Sequence, residues 1–262
     1  MELILSIIIL AFLFESMDSM AGMGFGTALS PLLFLFGYSP LQVVPTILIS
    51  EAITGIIDTF FDHEFKNVHY SFHPLNDATK ITLIMSFFGA LAIFNSVIMV
   101  YMAIRLPDFL IKIYVAVLVI FMGISGLIRI KLTKIKQSKR HLKLLIGFSA
   151  LAGFNKGIGG GGYGPVITMG QIFSGVYEKS ATAIVSFAES LVSIVGILTF
   201  FLISFAGVKV DLVLLPSLFT GGFIAAIFAP YLVRVFPNKI WKYFIPIYAF
   251  GIGLFSLLNI LL

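Results

Sequence analysis

Three charged residues stand inside apolar runs of the sequence, where charged side chains are costly and usually functional. Lys156 lies in the glycine-rich segment AGFNKGIGGGGYGP, and Glu51 and Glu189 lie in LISEAITG and SFAESLVS. A buried lysine can pair with a carboxylate or attract an anion. Buried carboxylates can carry protons or accept hydrogen bonds from backbone N–H groups. These residue types predict the handling of ions or protons inside an apolar protein.

The same residues belong to an internal repeat. A shift of 138 residues places Glu51 on Glu189 and Asp18 on Lys156. The shift also superposes glycines, with Gly22, Gly24 and Gly26 falling on Gly160, Gly162 and Gly164. Because a carboxylate inside an apolar run is matched as well, glycine richness alone does not explain the repeat. The sequence predicts two homologous halves that meet at a site containing one lysine.

The elements that position these residues are apolar helices. The chain has 262 residues, of which 59% are hydrophobic and 11% charged, and its mean hydropathy is +1.08. Runs such as 181–206 and 212–233 are about as long as the roughly 20 residues that span a bilayer as a helix, and they lack the alternation of a barrel strand. We expect an all-α integral membrane protein of about eight membrane segments. There are no cysteines, so disulfides and thiolate sites are excluded.

The first element of each half is too long and too broken for one ordinary helix. Residues 3–36 and 142–175 each contain an apolar arm, a glycine-rich centre and a second apolar arm. We expect each to fold as a broken or re-entrant helical hairpin, which leaves three full crossings per half and makes the repeats inverted. The predicted units are residues 1–130 (first membrane repeat), 131–143 (basic cytoplasmic linker) and 144–262 (second membrane repeat).

Basic residues predict the orientation. Seven of the 17 lysines and arginines lie at 129–143, so the net charge of +5 indicates a cytoplasmic loop rather than a nucleic-acid partner. With this loop inside, the inverted arrangement places most other basic residues inside too, and both termini outside. The apolar N-terminal run has an acidic flank and no clear cleavage site, and we interpret it as a retained helix.

Other motifs leave alternatives open. Asp18 and Lys156 could form a salt bridge, or Lys156 could be left to attract an anion. Glu51 and Glu189 could carry coupling protons or cap the hairpin tips. The run GIGGGG at 157–162 fits a dinucleotide motif only formally, because no strand precedes it. A metal site at His63, Glu64, His69 and His73 is less favoured than a polar loop.

Two glycine-rich segments, GMGFGTALSPLLFLFGYSPLQVVPT and GGGGYGPVITMGQIFSGVYEKSATA, together with the basic central loop, resemble the sulfite exporter TauE/SafE family of permeases. The resemblance covers nearly the whole chain. It implies a carrier of small sulfur-containing anions in a prokaryotic inner membrane. The positions that match the family pattern are Gly22, Gly24, Gly26 and Pro31 in the first segment and Gly160, Gly162, Gly164 and Pro165 in the second. Pro31 has no counterpart in the second segment, so the two hairpins need not be equivalent.

We therefore expect a secondary transporter for a small sulfur-containing oxyanion such as sulfite or an organosulfonate, with proton coupling and the anion between the hairpins near the midplane. The candidate substrate-binding residues are Lys156, Asn155, Gly160, Gly161, Gly162, Gly164, Gly22, Gly24, Gly26 and Ser19. Asp18, Glu51 and Glu189 are candidates for proton coupling or structural charge. The alternatives are an anion channel, a membrane-embedded enzyme using Glu51 and Glu189, and a scaffold subunit. No cofactor, metal or nucleic acid is expected; the partners are the anion and the bilayer, with a homodimer left open.

Overall fold

The computed structural model describes residues 3–21, 25–132, 141–173, 178–235 and 239–262. Within these ranges the chain is almost entirely helical, and the only β pairing is one isolated bridge between Phe72 and Leu75. The predicted all-α fold is confirmed.

Ten α-helices cover the described residues. The first half contains α1 (Leu5–Ala21), α2 (Phe25–Leu35), α3 (Pro40–Glu64), α4 (Asp77–Val97) and α5 (Asp108–Leu132). The second half contains α6 (Leu142–Gly159), α7 (Tyr163–Phe173), α8 (Glu178–Phe205), α9 (Leu215–Val235) and α10 (Lys239–Leu261). A π-helical turn at Ile98–Ala103 extends α4.

Five of the described helical stretches are long and apolar enough to cross a bilayer: Pro40–Glu64, Asp77–Ala103, Asp108–Ile128, Ala181–Phe205 and Leu215–Leu232. Helices are suited to this environment because every interior backbone N–H and C=O group is satisfied within the segment. Large apolar side chains such as Phe121, Leu198 and Phe228 are exposed on the outer surface, where lipid would cover them. The protein is a multi-pass membrane protein.

Local sequence signals set the starts of α3 and α4. Pro40 occupies the first turn of α3, and the Gln42 side chain accepts a hydrogen bond from the backbone N–H of Ser39 (2.9 Å). At α4, the Asn76 side chain accepts from the Thr79 N–H (3.0 Å). Each cap satisfies a backbone donor that a helix start leaves unpaired.

Both predicted broken elements contain two helices. In the second element α6 ends at Gly159 and α7 begins at Tyr163. Gly160 and Gly162 between them have φ values of +75° and +88°, which favour glycine because it has no Cβ. In the first element α1 ends at Ala21 and α2 begins at Phe25.

Corresponding helices of the two halves make corresponding contacts. α1 packs mainly against α9 and α6 mainly against α4, while α3 packs against α8 and α5 against α10. Glycines allow the closest approaches: a Cβ on Gly153 would lie 2.2 Å from the Gly89 carbonyl oxygen, and one on Gly221 would lie 2.2 Å from that of Ile8. Small residues let membrane helices approach in this way. The packing brings α3 and α8, which carry the two predicted glutamates, together at the centre.

Candidate transport site

Lys156 lies in the last turn of α6 and is the centre of the site. Its side chain is fully buried, and its ammonium group donates to Glu51 Oε2 and to Glu189 Oε1, the latter at 2.6 Å. Glu51 lies on α3 and Glu189 on α8, the facing central helices. The two carboxylates that the sequence repeat pairs therefore share one lysine.

Glu51 has a second contact, with the start of α2. Its Oε1 atom accepts a hydrogen bond from the Gly26 N–H at 3.2 Å. Of the two roles that the sequence left open for Glu51, the structure shows the capping of a hairpin tip together with an ion pair. Glu189 makes the ion pair.

The tips of the two broken elements touch beside this ion pair. A Cβ on Gly26 would lie 2.3 Å from the Gly160 carbonyl oxygen, and one on Gly161 would lie 2.2 Å from that of Gly26. The Gly162 N–H donates to the Thr27 hydroxyl at 3.1 Å. Glycine is thus required by the close approach of two backbones, and the crossing holds the starts of α2 and α7 near Lys156.

Two tyrosines contact Lys156 and its neighbour Asn155 beside this crossing. The buried Tyr163 ring at the start of α7 has its centroid 5.9 Å from the Lys156 ammonium nitrogen. The Tyr114 hydroxyl of α5 donates to Asn155 Oδ1, which fixes the residue before Lys156. The Gly164 carbonyl accepts from the Thr168 hydroxyl at 2.7 Å, inside α7.

A small polar cavity adjoins the ion pair on the side of α1. It is lined by Glu15, Asp18, Ser19, Glu51, Thr54, Gly55, Asp58, Ser186 and Glu189. The cavity has a volume of about 10 Å³, which leaves room for roughly one water molecule. Five carboxylates therefore surround a volume of about one water.

The Asp18–Lys156 salt bridge, one of the two alternatives that the sequence left open, is not formed. Asp18 lines the acidic cavity, whereas the ion pairs of Lys156 are made by Glu51 and Glu189. The physical reason is that α3 and α8 face each other across the end of α6, so their carboxylates reach the ammonium group. Of the two options for Lys156, neither a pair with Asp18 nor an unpaired lysine describes this conformation.

The described site residues lie in two adjoining groups, and Glu51 and Glu189 belong to both. The hairpin crossing brings together Lys156, Asn155, Gly160, Gly161, Gly162, Gly164, Gly26, Glu51 and Glu189. Ser19 and Asp18 belong to the acidic cavity. Gly22 and Gly24 lie outside the described residues.

The sequence interpretation missed several polar neighbours. Thr27 and Tyr163 are found only from the tertiary contacts. Asp58 had a signal in the sequence: it lies seven residues after Glu51, so both fall on one face of a helix.

The histidine alternative is not supported. The His63 and His69 rings stack with centroids 5.2 Å apart, and His63 Nδ1 accepts from the Tyr70 N–H at 3.2 Å. Across the described ranges, no three histidine or acidic side chains are grouped to hold a metal ion.

Comparison with known proteins identifies the family. A model of the family described as "Sulfite exporter TauE/SafE" matches residues 7–256. The chain belongs to the sulfite exporter TauE/SafE family. It is also similar to a protein of Bacillus subtilis (strain 168) described as "Probable membrane transporter protein YtnM", with 27% identity over 228 residues, covering 85% of this chain and 72% of that relative. No solved structure matches the chain. Membership of the TauE/SafE family makes the protein a membrane transporter and not an enzyme.

Proposed function

We propose that the protein is a secondary transporter that moves a small sulfur-containing oxyanion, such as sulfite or an organosulfonate, with proton coupling. The observation that carries the proposal is the fully buried Lys156, held by Glu51 and Glu189 where the two hairpin tips cross. Family membership supports the transporter class, and the name of the family points to sulfite as the first anion to test.

The charges of the ion-pair cluster supply a coupling mechanism. One ammonium group faces two carboxylates, so with all three ionised the cluster carries one net negative charge and repels an anion. Protonation of both glutamates leaves one net positive charge and a lysine without an ionised partner. In a buried site, where charges interact strongly, the substrate anion then replaces the carboxylates beside Lys156.

The broken helices add to the attraction for an anion. α2 and α7 both begin at the crossing, at Phe25 and Tyr163, and helix starts carry partial positive charge and unpaired N–H groups. In this conformation Glu51 and Thr27 accept from the Gly26 and Gly162 N–H groups. Those two donors are the ones we expect to turn to the substrate when Glu51 becomes protonated.

An inverted repeat would let the two sides exchange access to this site. The proposal is supported by the corresponding packing of the two halves, in which α1 with α9 mirrors α6 with α4. Rocking of such repeats against each other is a known route to alternating access. The fully buried lysine fits a carrier in an occluded conformation better than an open channel.

Flux measurements with purified protein in liposomes test the proposed function. We expect saturable uptake of radiolabelled sulfite that increases when the side of the membrane holding sulfite is acidified. Lys156→Gln should lower uptake about 100-fold, because a neutral side chain cannot form the buried charge pair with the anion. The exposed Lys80 provides the matched control, and Lys80→Gln should retain uptake.

Two results would count against this function. One is uptake that stays linear with concentration and shows single-channel currents, which would indicate a channel. The other is no flux of sulfite or sulfoacetate by a protein that is folded and correctly inserted.

A further inference from the structure

One face of α3 carries a row of buried carboxylates that leads away from the Lys156 ion pairs. Glu51, Asp58 and Asp62 are separated by seven and four residues, spacings that return to the same helix face. Their exposed fractions are only 4%, 2% and 5%. At 1.5 Å per residue, the row extends about 16 Å along the helix axis.

The outer end of this row lies at the end of the helix. Asp62 Oδ1 accepts from the Asn67 side-chain amide at 2.7 Å, just beyond the C-terminus of α3. Glu64 and Lys66, within four residues of Asp62, are exposed. Asp62 is therefore the buried carboxylate of the row that lies nearest to a polar surface.

The inner end of the row opens into the acidic cavity. Asp58 Oδ1 accepts from the Ser19 hydroxyl of α1 at 2.9 Å, and both residues line the cavity together with Glu51. A hydroxyl next to a carboxylate can accept and donate a proton in turn. The cavity therefore connects Asp58 on α3 with the ion-pair cluster.

Two polar atoms in the cavity wall point to an occupant. Glu15 Oε2 and Thr54 Oγ1 are buried next to each other, but within the described residues neither atom makes a hydrogen bond of regular geometry, although buried polar groups normally do. Glu15 is 5% exposed and Thr54 is fully buried. Room for about one water beside these atoms fits a water molecule that passes protons between carboxylates.

The charge of the cavity favours protons over other cations. Five carboxylates line it, Lys156 is the cation next to them, and so many buried charges of one sign cannot all be ionised. In the described part of the chain no cluster of three or more histidine or acidic side chains is arranged to hold a metal ion.

Several elements contribute polar or charged groups that face this row. α1 contributes Glu15, Asp18 and Ser19, and α8 contributes Ser186 and Glu189. α6 contributes Lys156. α9 places Tyr231 near Phe65, beyond the outer end of the row, with ring centroids 6.1 Å apart.

We propose that a proton path runs along α3 from Asp62 through Asp58, Ser19 and the acidic cavity to Glu51 and Glu189. It rests on the proposed function, because the protons that it delivers are those that release Lys156 for the anion. Each step breaks one O–H bond and forms another: a carboxylic acid gives its proton to a hydroxyl or water oxygen, which passes one on to the next carboxylate. Asp58 and Asp62 act on the substrate through the ion pairs and not by touching it.

The test compares two modes of transport in liposomes containing the full chain. Net uptake of labelled sulfite carries protons across the membrane. Exchange of internal for external sulfite can proceed while the protons stay bound to the carrier. Asp58→Asn keeps an acceptor for Ser19 but cannot ionise. We expect it to lower net uptake, and the pH change reported by a trapped dye, about 100-fold while exchange continues. Asp62→Asn should do the same, and Glu64→Gln on the exposed side should change neither mode.

Several outcomes would overturn the path. These are equal loss of net uptake and exchange in Asp58→Asn, normal net uptake by both Asn variants, or net uptake that depends on sodium and not on pH. If the wild-type protein moves no sulfite in either mode, the proposed function fails and infrared spectroscopy decides the path. The path then requires a protonated buried carboxyl band that responds to pH and disappears in Asp58→Asn, and an unchanged spectrum rejects it.

Discussion

At the scale of single residues, the lysine and its two glutamates form a cluster with unequal members. Lys156 pairs with both carboxylates; Glu51 also accepts from the Gly26 N–H, whereas among the described residues Glu189 has the ion pair alone. Removing one member of a buried ion pair leaves an uncompensated charge and destabilises a protein by about 3–5 kcal/mol. The three side chains should therefore differ in their effects on stability and transport.

Lys156→Gln should be strongly destabilising because it leaves two carboxylates without a cation. We expect a loss of about 3–5 kcal/mol, measured as a lower unfolding temperature of the detergent-purified protein. Lys156→Gln combined with Glu189→Gln should recover part of this stability, since one of the two uncompensated charges is removed. The double variant should still fail to transport sulfite, and transport by it would refute the role of the lysine.

Replacing the side chain by alanine should lower stability more at Glu51 than at Glu189, in addition to the effect of losing the charge. Glu51→Gln keeps an oxygen that can accept from the Gly26 N–H, whereas Glu51→Ala leaves that buried donor unpaired, at about 1–3 kcal/mol. The stability difference between the Gln and Ala variants should therefore be larger at position 51 than at position 189. Thermal unfolding of the four variants measures it, and equal differences at the two positions would contradict the cap.

At the scale of elements, the site depends on two broken helices meeting backbone to backbone. Gly26 and Gly161 leave no room for a side chain at this contact, and Gly160 and Gly162 adopt positive φ. The crossing places the starts of α2 and α7 beside Lys156. Any side chain added there must push the hairpin tips apart.

Gly161→Ala should therefore impair both stability and transport. Its Cβ would lie 2.2 Å from the Gly26 carbonyl oxygen, and overpacking of this kind is destabilising by about 1–3 kcal/mol. Gly147→Ala is the control. Gly147 lies in α6, the helix that precedes Gly161, and a Cβ added there would meet open space. Unfolding temperature and sulfite uptake should fall for position 161 and stay near wild type for position 147. Equal behaviour of the two variants would argue against the crossing.

At the scale of the whole molecule, the membrane orientation remains a prediction from the basic loop at 129–143. The chain contains no cysteine, so single cysteines can be labelled without a background. Gln137→Cys should react only from the cytoplasmic side and Leu262→Cys only from the opposite side. Reaction of both from one side would reject the predicted topology.

The sequence by itself determined the class of fold, the break in the second glycine-rich element and the three charges at the centre. These follow from local causes: apolar runs of membrane length form helices, and positive φ requires glycine. The repeat also pairs Glu51 with Glu189, the two carboxylates that share Lys156 in the structure. Family membership, matched over residues 7–256, agrees with the resemblance in the glycine-rich segments.

Only the tertiary structure decided which charges meet. A shift of 138 residues pairs Asp18 with Lys156, yet α3 and α8 bring Glu51 and Glu189 to the lysine. Two positions that are equivalent in the repeat need not touch each other. An ion pair forms only where the packing of the helices brings the charged ends of two side chains together. Glu15, Ser19 and Asp58 are distant from Glu189 in the sequence. The same packing brings all four residues into the lining of one cavity.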